Sequence, residues 1–293
     1  MNTLSVEIKD KLLGHSSPIY ALTFQNETIY TAGSDKLVVE WQKQSYDKPT
    51  AIAKFPHSCY ALLAENGRLW IGLTDGTLHC IAMASKNKLF EKKVASGAIF
   101  QILHTPEGII VISEDGLCHM IKEYSVYRSA KISLKSLRHV VQQDENLFIA
   151  TSDGEVVFIA LKDLEVKYRF KEHQQSVFAV CLTEEYLISG GRDASLIVQD
   201  LGNGELLHKI PAHLSTINSI TYNKTQNILA TASKDKSIRL WDAENLTLLK
   251  VLDANKFGSH TNSVNKLRWL SDDKSLISIS DDRTGIIWKI ERM

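Results

Sequence analysis

An all-β fold made of seven copies of one small unit is predicted by three features of the sequence. A turn aspartate recurs at Asp35, Asp75, Asp115, Asp153, Asp193, Asp235 and Asp282, at intervals of 38 to 47 residues. Each aspartate lies between two apolar runs, as EYLISGG (185–191) and SLIVQD (195–200) lie on either side of Asp193. An alternating segment such as SVFAV (176–180) opens the unit, and a weaker one such as GELLHKI (204–210) ends it. Four short strands per unit at this period are the pattern of a β-repeat.

A sheet this small has two apolar faces and covers both only by stacking against copies of itself. The units therefore close into a ring, a seven-bladed β-propeller of four-stranded antiparallel blades. The last copy stops at TGIIWKIERM, its third strand, while LSVEIKD (4–10) precedes the first full copy. Strand 4–10 is expected to join the last blade and lock the ring, making residues 1–293 one domain. At each aspartate the turn is served either by a following glycine (Asp75-Gly76, Asp115-Gly116, Asp153-Gly154) or by Lys36, Ala194, Lys236 or Arg283. Glycine accepts the positive φ that tight hairpin turns demand.

Composition narrows the function classes. The chain is 44% hydrophobic and 23% charged, without an apolar run long enough to span a bilayer, so no membrane role is expected. Lys and Arg total 34, as do Asp and Glu; that neutrality argues against a nucleic-acid partner. Charges at Glu7, Lys9 and Asp10 stand where a secretory signal needs its apolar core, and a cytoplasmic location is expected. Cys59, Cys80, Cys118 and Cys181 show no CxxC spacing and read as buried thiols. With no HExxH pattern and no phosphate-binding glycine loop, neither a metal nor a nucleotide cofactor is expected.

The segments LLGH (12–15), IYTAGSDKLVVEW (29–41), ILATASKDKSIRLWD (228–242) and LISISDDRTGIIW (276–288) resemble the WD-repeat β-propeller family. The resemblance extends to all seven units and is strongest in the first, sixth and seventh. It implies a buried chain of Trp, hydroxyl, His and Asp within a blade. By offset these are His15, Thr31, Asp35 and Trp41; His213, Thr231, Asp235 and Trp241; and His260, Ser278, Asp282 and Trp288. The fifth unit keeps His173, Ser189 and Asp193 but has Gln199 for Trp. A Ser/Thr, His and Asp together suggest a nucleophilic triad, yet a catalyst needs one such set in a cleft, and here the set recurs inside separate blades. No enzymatic activity is expected. In the second to fourth units the hydroxyl and Trp places are jointly aliphatic, at Ile71 and Ile81, Val111 and Ile121, and Ile149 and Ile159. Replacing a whole polar set is far cheaper than stranding one member of it.

The resemblance further implies that one face around the central channel binds partners. Five residues beyond each His place stand Tyr20, Tyr60, Phe100, Arg138, Phe178, Asn218 and Asn265. Arg192 and Lys234, each just before a turn aspartate, add positive charge over the fourth to sixth blades. Aromatics and arginine dominate binding hot spots. The expected role is a scaffold for other proteins or peptides, alone or within a larger assembly. The alternatives are an enzyme with a pocket in the channel, or a reader of modified-lysine peptides or nucleic acid.

Overall fold

The computed structural model describes residues 4–292; residues 1–3 and 293 of the expected 1–293 range lie outside the described residues. Seven four-stranded antiparallel sheets stand around a central axis. In the sixth blade the strands run outward in chain order: Ile217–Asn223, Ile228–Ser233, Ile238–Asp242 and Leu248–Leu252. Each innermost strand packs beside those of its two neighbours, and contact between Ile19–Gln25 and Val264–Trp269 completes the circle.

Burial follows position in the blade. The second strands of the last two blades, Ile228–Ser233 and Ser275–Ser280, are buried at every residue. They have a hydrogen-bonded strand on each edge and a neighbouring blade over each face. The outer strand Leu206–Pro211 is mostly exposed, and its alternation is correspondingly weak in the sequence. The long interval before Asp282 holds a single helical turn, Ala254–Phe257, capped by Asp253, which accepts from Lys256 N, and by Gly258 at φ 63°.

The ring is closed by Leu4–Leu13, which pairs with Thr284–Arg292 from Leu4 opposite Arg292 to Leu13 opposite Thr284, with one extra residue at Lys9. The strand runs three residues beyond the expected 4–10. Its extension carries Leu12, fully buried in a cluster with Ile19, Trp41 and Ile277. Leu12 thus fills the joint between the last blade and the first.

Every turn aspartate is followed by a residue of positive φ: Lys36 (67°), Gly76 (88°), Gly116 (77°), Gly154 (87°), Ala194 (60°), Lys236 (75°) and Arg283 (71°). The same N–H in all seven turns bonds back three residues, as Lys236 N does to Ser233 O at 3.2 Å. The left-handed bend is therefore a property of the unit and not of glycine alone. At Gly116 glycine is required for space as well, because a Cβ would lie 2.1 Å from Ser133 O.

The channel-side edge of each innermost strand has no fifth strand to pair with, and in several blades side chains of the preceding blade take that place. Thr23 Oγ1 accepts from Ala64 N (3.1 Å), His139 Nδ1 from Val180 N (3.3 Å) and Ser219 Oγ from Leu267 N (3.1 Å). The Gln101 amide both accepts from Val140 N and donates to Val140 O, each at 2.8 Å.

Deleting residues 1–10 removes buried Leu4 and partly buried Val6 and Ile8 from their cluster and bares the edge of Thr284–Arg292. Truncating buried aliphatics costs about 2–5 kcal/mol each, so the melting temperature is expected to fall by about 10 °C. An unchanged calorimetric transition would show that the closing strand contributes nothing to stability.

Candidate functional site

The polar chain comes together in the three blades that carry it whole. In the sixth, Trp241 Nε1 donates to Thr231 Oγ1 (3.0 Å), that oxygen lies 2.8 Å from His213 Nε2, and His213 Nδ1 lies 2.9 Å from Asp235 Oδ2. The first and seventh blades repeat this through Trp41, Thr31, His15 and Asp35, and through Trp288, Ser278, His260 and Asp282. An indole only donates and a carboxylate only accepts, which orients the chain: Trp N–H to hydroxyl, hydroxyl O–H to His Nε2, His Nδ1–H to Asp. Burial keeps the His15 and His213 rings below their usual pKa, with Asp35 and Asp235 opposing that effect. Burial alone would raise Asp235, but hydrogen bonds from His213, Ser237 and Leu214 N outweigh it and hold the carboxyl far below its ordinary range. The neutral imidazole beside a carboxylate has the order of a catalytic triad. Thr31, Thr231 and Ser278, however, are 0% exposed, and no substrate reaches them.

The other blades settle the same position differently. In the fifth, His173 still joins Ser189 (2.9 Å) and Asp193 (3.0 Å), while the Gln199 amide turns away to Gly204 O (3.1 Å). In the fourth, Ser133 stands in the His place and its hydroxyl donates to Asp153. The aliphatic replacements Ile71, Ile81, Val111, Ile121, Ile149 and Ile159 are all buried. His79 and His119, four residues after their turn aspartates, are buried polar groups that the repeat pattern does not reveal. His79 faces Phe55 at 4.8 Å, and His119 Nδ1 meets Ser129 Oγ at 2.7 Å.

The seven residues five beyond the His place share one backbone feature. Pairing of the first two strands jumps from Ile19–Gly33 to Ala21–Ala32, leaving Tyr20 unpaired. The same one-residue bulge falls at Tyr60, Phe100, Arg138, Phe178, Asn218 and Asn265. A bulge re-aims the side chain of its extra residue, and here all seven are half-buried at the channel mouth. The N–H of the residue before each turn aspartate bonds to the carbonyl two residues before the bulge, as Arg192 does to Ser176 (2.8 Å) and Lys234 to Thr216 (2.9 Å). Those residues therefore sit beside the bulge ring.

Within the ring, Tyr20 meets Tyr60 edge-on at 4.7 Å and Tyr60 lies 6.0 Å from Phe100. Arg138 is held between Phe100 (4.4 Å) and Phe178 (5.0 Å), with its Nε donating to Ser152 Oγ at 2.8 Å. Asn218 donates to Ser263 Oγ (3.0 Å) and Val264 O (2.9 Å), and Asn265 to Ile19 O and Asp281 Oδ1, both at 2.8 Å. Arg138, Asn218 and Asn265 are thus engaged within the ring, while Arg192 and Lys234 stand exposed.

Two further residues belong to this face. Leu134 is 91% exposed and Leu214 is 89% exposed, each directly after the His place. That column holds Ser16, Pro56, Ser96, Gln174 and Thr261 in the other blades, and an apolar residue among these is the signal that marks the two leucines. Leu214 N is pinned by Asp235 Oδ2 at 2.9 Å, so the backbone is anchored and the side chain projects. Among the described residues no three His, Cys, Asp or Glu side chains gather as a metal site, and no helix is long and apolar enough to cross a membrane.

Seven four-stranded blades joined by a shared last sheet, with a polar chain inside the blades, define a β-propeller of the repeat type. Residues 204–242 and 253–289 match the family model described as WD domain, G-beta repeat. The WD repeat-containing protein 26 homolog of Arabidopsis thaliana is 21% identical over 269 residues, covering 82% of this chain and 44% of that protein. WD repeat-containing protein 37 of Xenopus laevis is 29% identical over 159 residues, covering 52% of this chain and 29% of that protein. The chain therefore spans less than half the length of these curated relatives. The crystal structure of the WD40 beta propeller domain of Doa1 superimposes with a TM-score of 0.85 over 97% of both chains at 16% identity, a likeness of fold. The last two blades thus carry WD repeats, and the whole chain has the fold of a WD40 β-propeller.

Thr231→Val leaves His213 Nε2 and Trp241 Nε1 without a buried partner, and a loss of about 1–3 kcal/mol per stranded group is expected in denaturant unfolding. Burial, assisted by the charge of Lys266, lowers the His139 pKa to about 3. The unfolded chain then takes up this proton first, so stability falls as pH drops from about 6.5 towards 3. His139→Asn keeps an acceptor for Val180 N, and a shallower loss of melting temperature between pH 6.5 and 4 is expected than in the wild type.

Proposed function

We propose that this chain is a non-enzymatic docking platform for protein segments that combine acidic and apolar side chains, seated over the fourth to sixth blades. The observation that carries this reading is the pair Leu134 and Leu214, almost fully exposed at loop tips where the other blades are mostly polar. Around them lie the exposed cations Lys135, Arg192 and Lys234 and the half-buried Phe178. Exposed leucines beside cations favour a ligand that covers the apolar groups and brings negative charge to the cations. The similarity to WD-repeat propellers, which typically serve protein interaction, supports the same class of role.

A second reading has its own observation. On the opposite arc, burial and the nearby charges of Asp281 and Glu114 raise the Tyr60 phenol, and Tyr20 is raised by burial, Tyr60 and Asp281. Aromatics next to carboxylates suit a cationic side chain, a modified lysine included.

Selection from a random peptide display library separates the two. Acidic peptides with spaced Leu or Phe are expected to dominate. Their binding should fall at least tenfold in Leu134→Ser/Leu214→Ser and in Arg192→Glu/Lys234→Glu, about 1.4 kcal/mol or more, with melting unchanged because these side chains pack little. Enrichment of lysine-bearing peptides that lose binding in Tyr60→Ser would favour the aromatic and acidic arc. Binding that survives all three variants would move the docking surface to the outer rim.

A further inference from the structure

Below the bulge ring the innermost strands line an open cavity of about 460 Å³ that none of the seven bulge residues lines. The wall mixes aliphatic residues such as Leu62, Ile102 and Val140 with polar ones such as Gln101, Gln142 and Thr221. Its charged groups are Lys266 and Arg268, both on Val264–Trp269, and no carboxylate lines it. Burial lowers the pKa of both, and no acidic group opposes that effect at either one. Arg268 lies with its Cζ over the Phe24 ring, 4.9 Å from its centroid. From the fourth blade His139 faces the same space, close enough to feel the charge of Lys266. Its Nδ1 accepts from Val180 N, so the neutral ring carries its hydrogen on Nε2 and is a donor.

Lys266 is half-buried and Arg268 exposed on the same strand, with no carboxylate in the channel wall beside them. The channel walls focus their field towards an incoming anion. The donor set consists of an ammonium point charge, a planar guanidinium fork and a neutral N–H. It suits tetrahedral oxyanions with several acceptor oxygens, above all phosphates. The cavity falls within the usual range for small-ligand sites and is larger than a single phosphate requires.

We propose that the central channel binds a small phosphorylated anion between Lys266 and Arg268 on one wall and His139 on the other. The site is separate from the docking face, whose exposed cations Arg192 and Lys234 lie above the bulge ring.

Pyrophosphate is the probe, titrated calorimetrically into the whole chain at constant ionic strength and pH 8. Saturable binding is expected, weakened at least roughly tenfold in Lys266→Gln/Arg268→Gln and unchanged in Arg192→Gln/Lys234→Gln. Without anion the channel variant should melt at the wild-type temperature or above it, since a repulsive pair has been removed. The Lys266 pKa, lowered to about 8, rises when an anion arrives, so proton uptake on binding is expected when buffers of different ionisation enthalpy are compared. Absence of saturable binding to the wild type overturns the proposal. So does undiminished binding by the channel variant, or a loss in the docking-face variant instead. If the channel variant fails to fold, wild-type binding without proton uptake at pH 8 overturns it equally.

Discussion

Seven sheets set on edge around an axis leave seven strand edges facing the channel, and the interior is organised by the need to satisfy them. An unpaired row of N–H and C=O groups is a liability in any sheet. Here several blades lend the next a side chain, as Gln101 does to Val140 and His139 to Val180. Because these braces act sideways, they also set the spacing of the blades and hence the width of the channel. The bulge lies one residue above three of the four braces, at Phe100, Arg138 and Asn218. The residue that faces the mouth and the residue that ties the wall are therefore consecutive, one aimed outward and one sideways.

That arrangement explains what the sequence discloses. Repetition makes the period, the turn aspartates and the polar chain visible, since each recurs at fixed offsets from the others. Closure is visible because a three-strand remainder and a spare strand have no other partners. The reach of the closing strand to Leu13 is not visible, because it is set by Leu12 filling a joint between blades that only the assembled ring creates. The offset of five from the His place finds the seven bulge residues without revealing the bulge. It therefore does not distinguish Asn218 and Asn265, whose amides tie blades together, from residues available to a ligand. Gln199 has the length to reach Ser189, yet its amide bonds a carbonyl of its own hairpin, a choice that offsets do not encode.

The blades without a complete polar chain show how the unit tolerates change. The left-handed turn persists in all of them; in the second to fourth the hydroxyl and indole places become aliphatic together, while the fifth keeps Ser189 and His173 without an indole. The polar chain is kept or lost blade by blade. A unit can abandon its internal chain without disturbing its neighbours, but it cannot abandon the turn that returns the third strand.

The pairing of Leu4 with Arg292 joins residues from nearly opposite ends of the chain. A ribosome releases the first of these long before the second exists, and blades grow in order while the final sheet waits for its third strand. Until Thr284–Arg292 emerges, the first blade presents to solvent the flank that Leu12 and the last blade later cover. A propeller still lacking that strand is an open arc with two sticky ends, and the step that completes it is a latch between its first and last strands. Such a latch makes the completed circle slow to form, because its two strands are far apart in sequence, and opening it exposes both flanks at once.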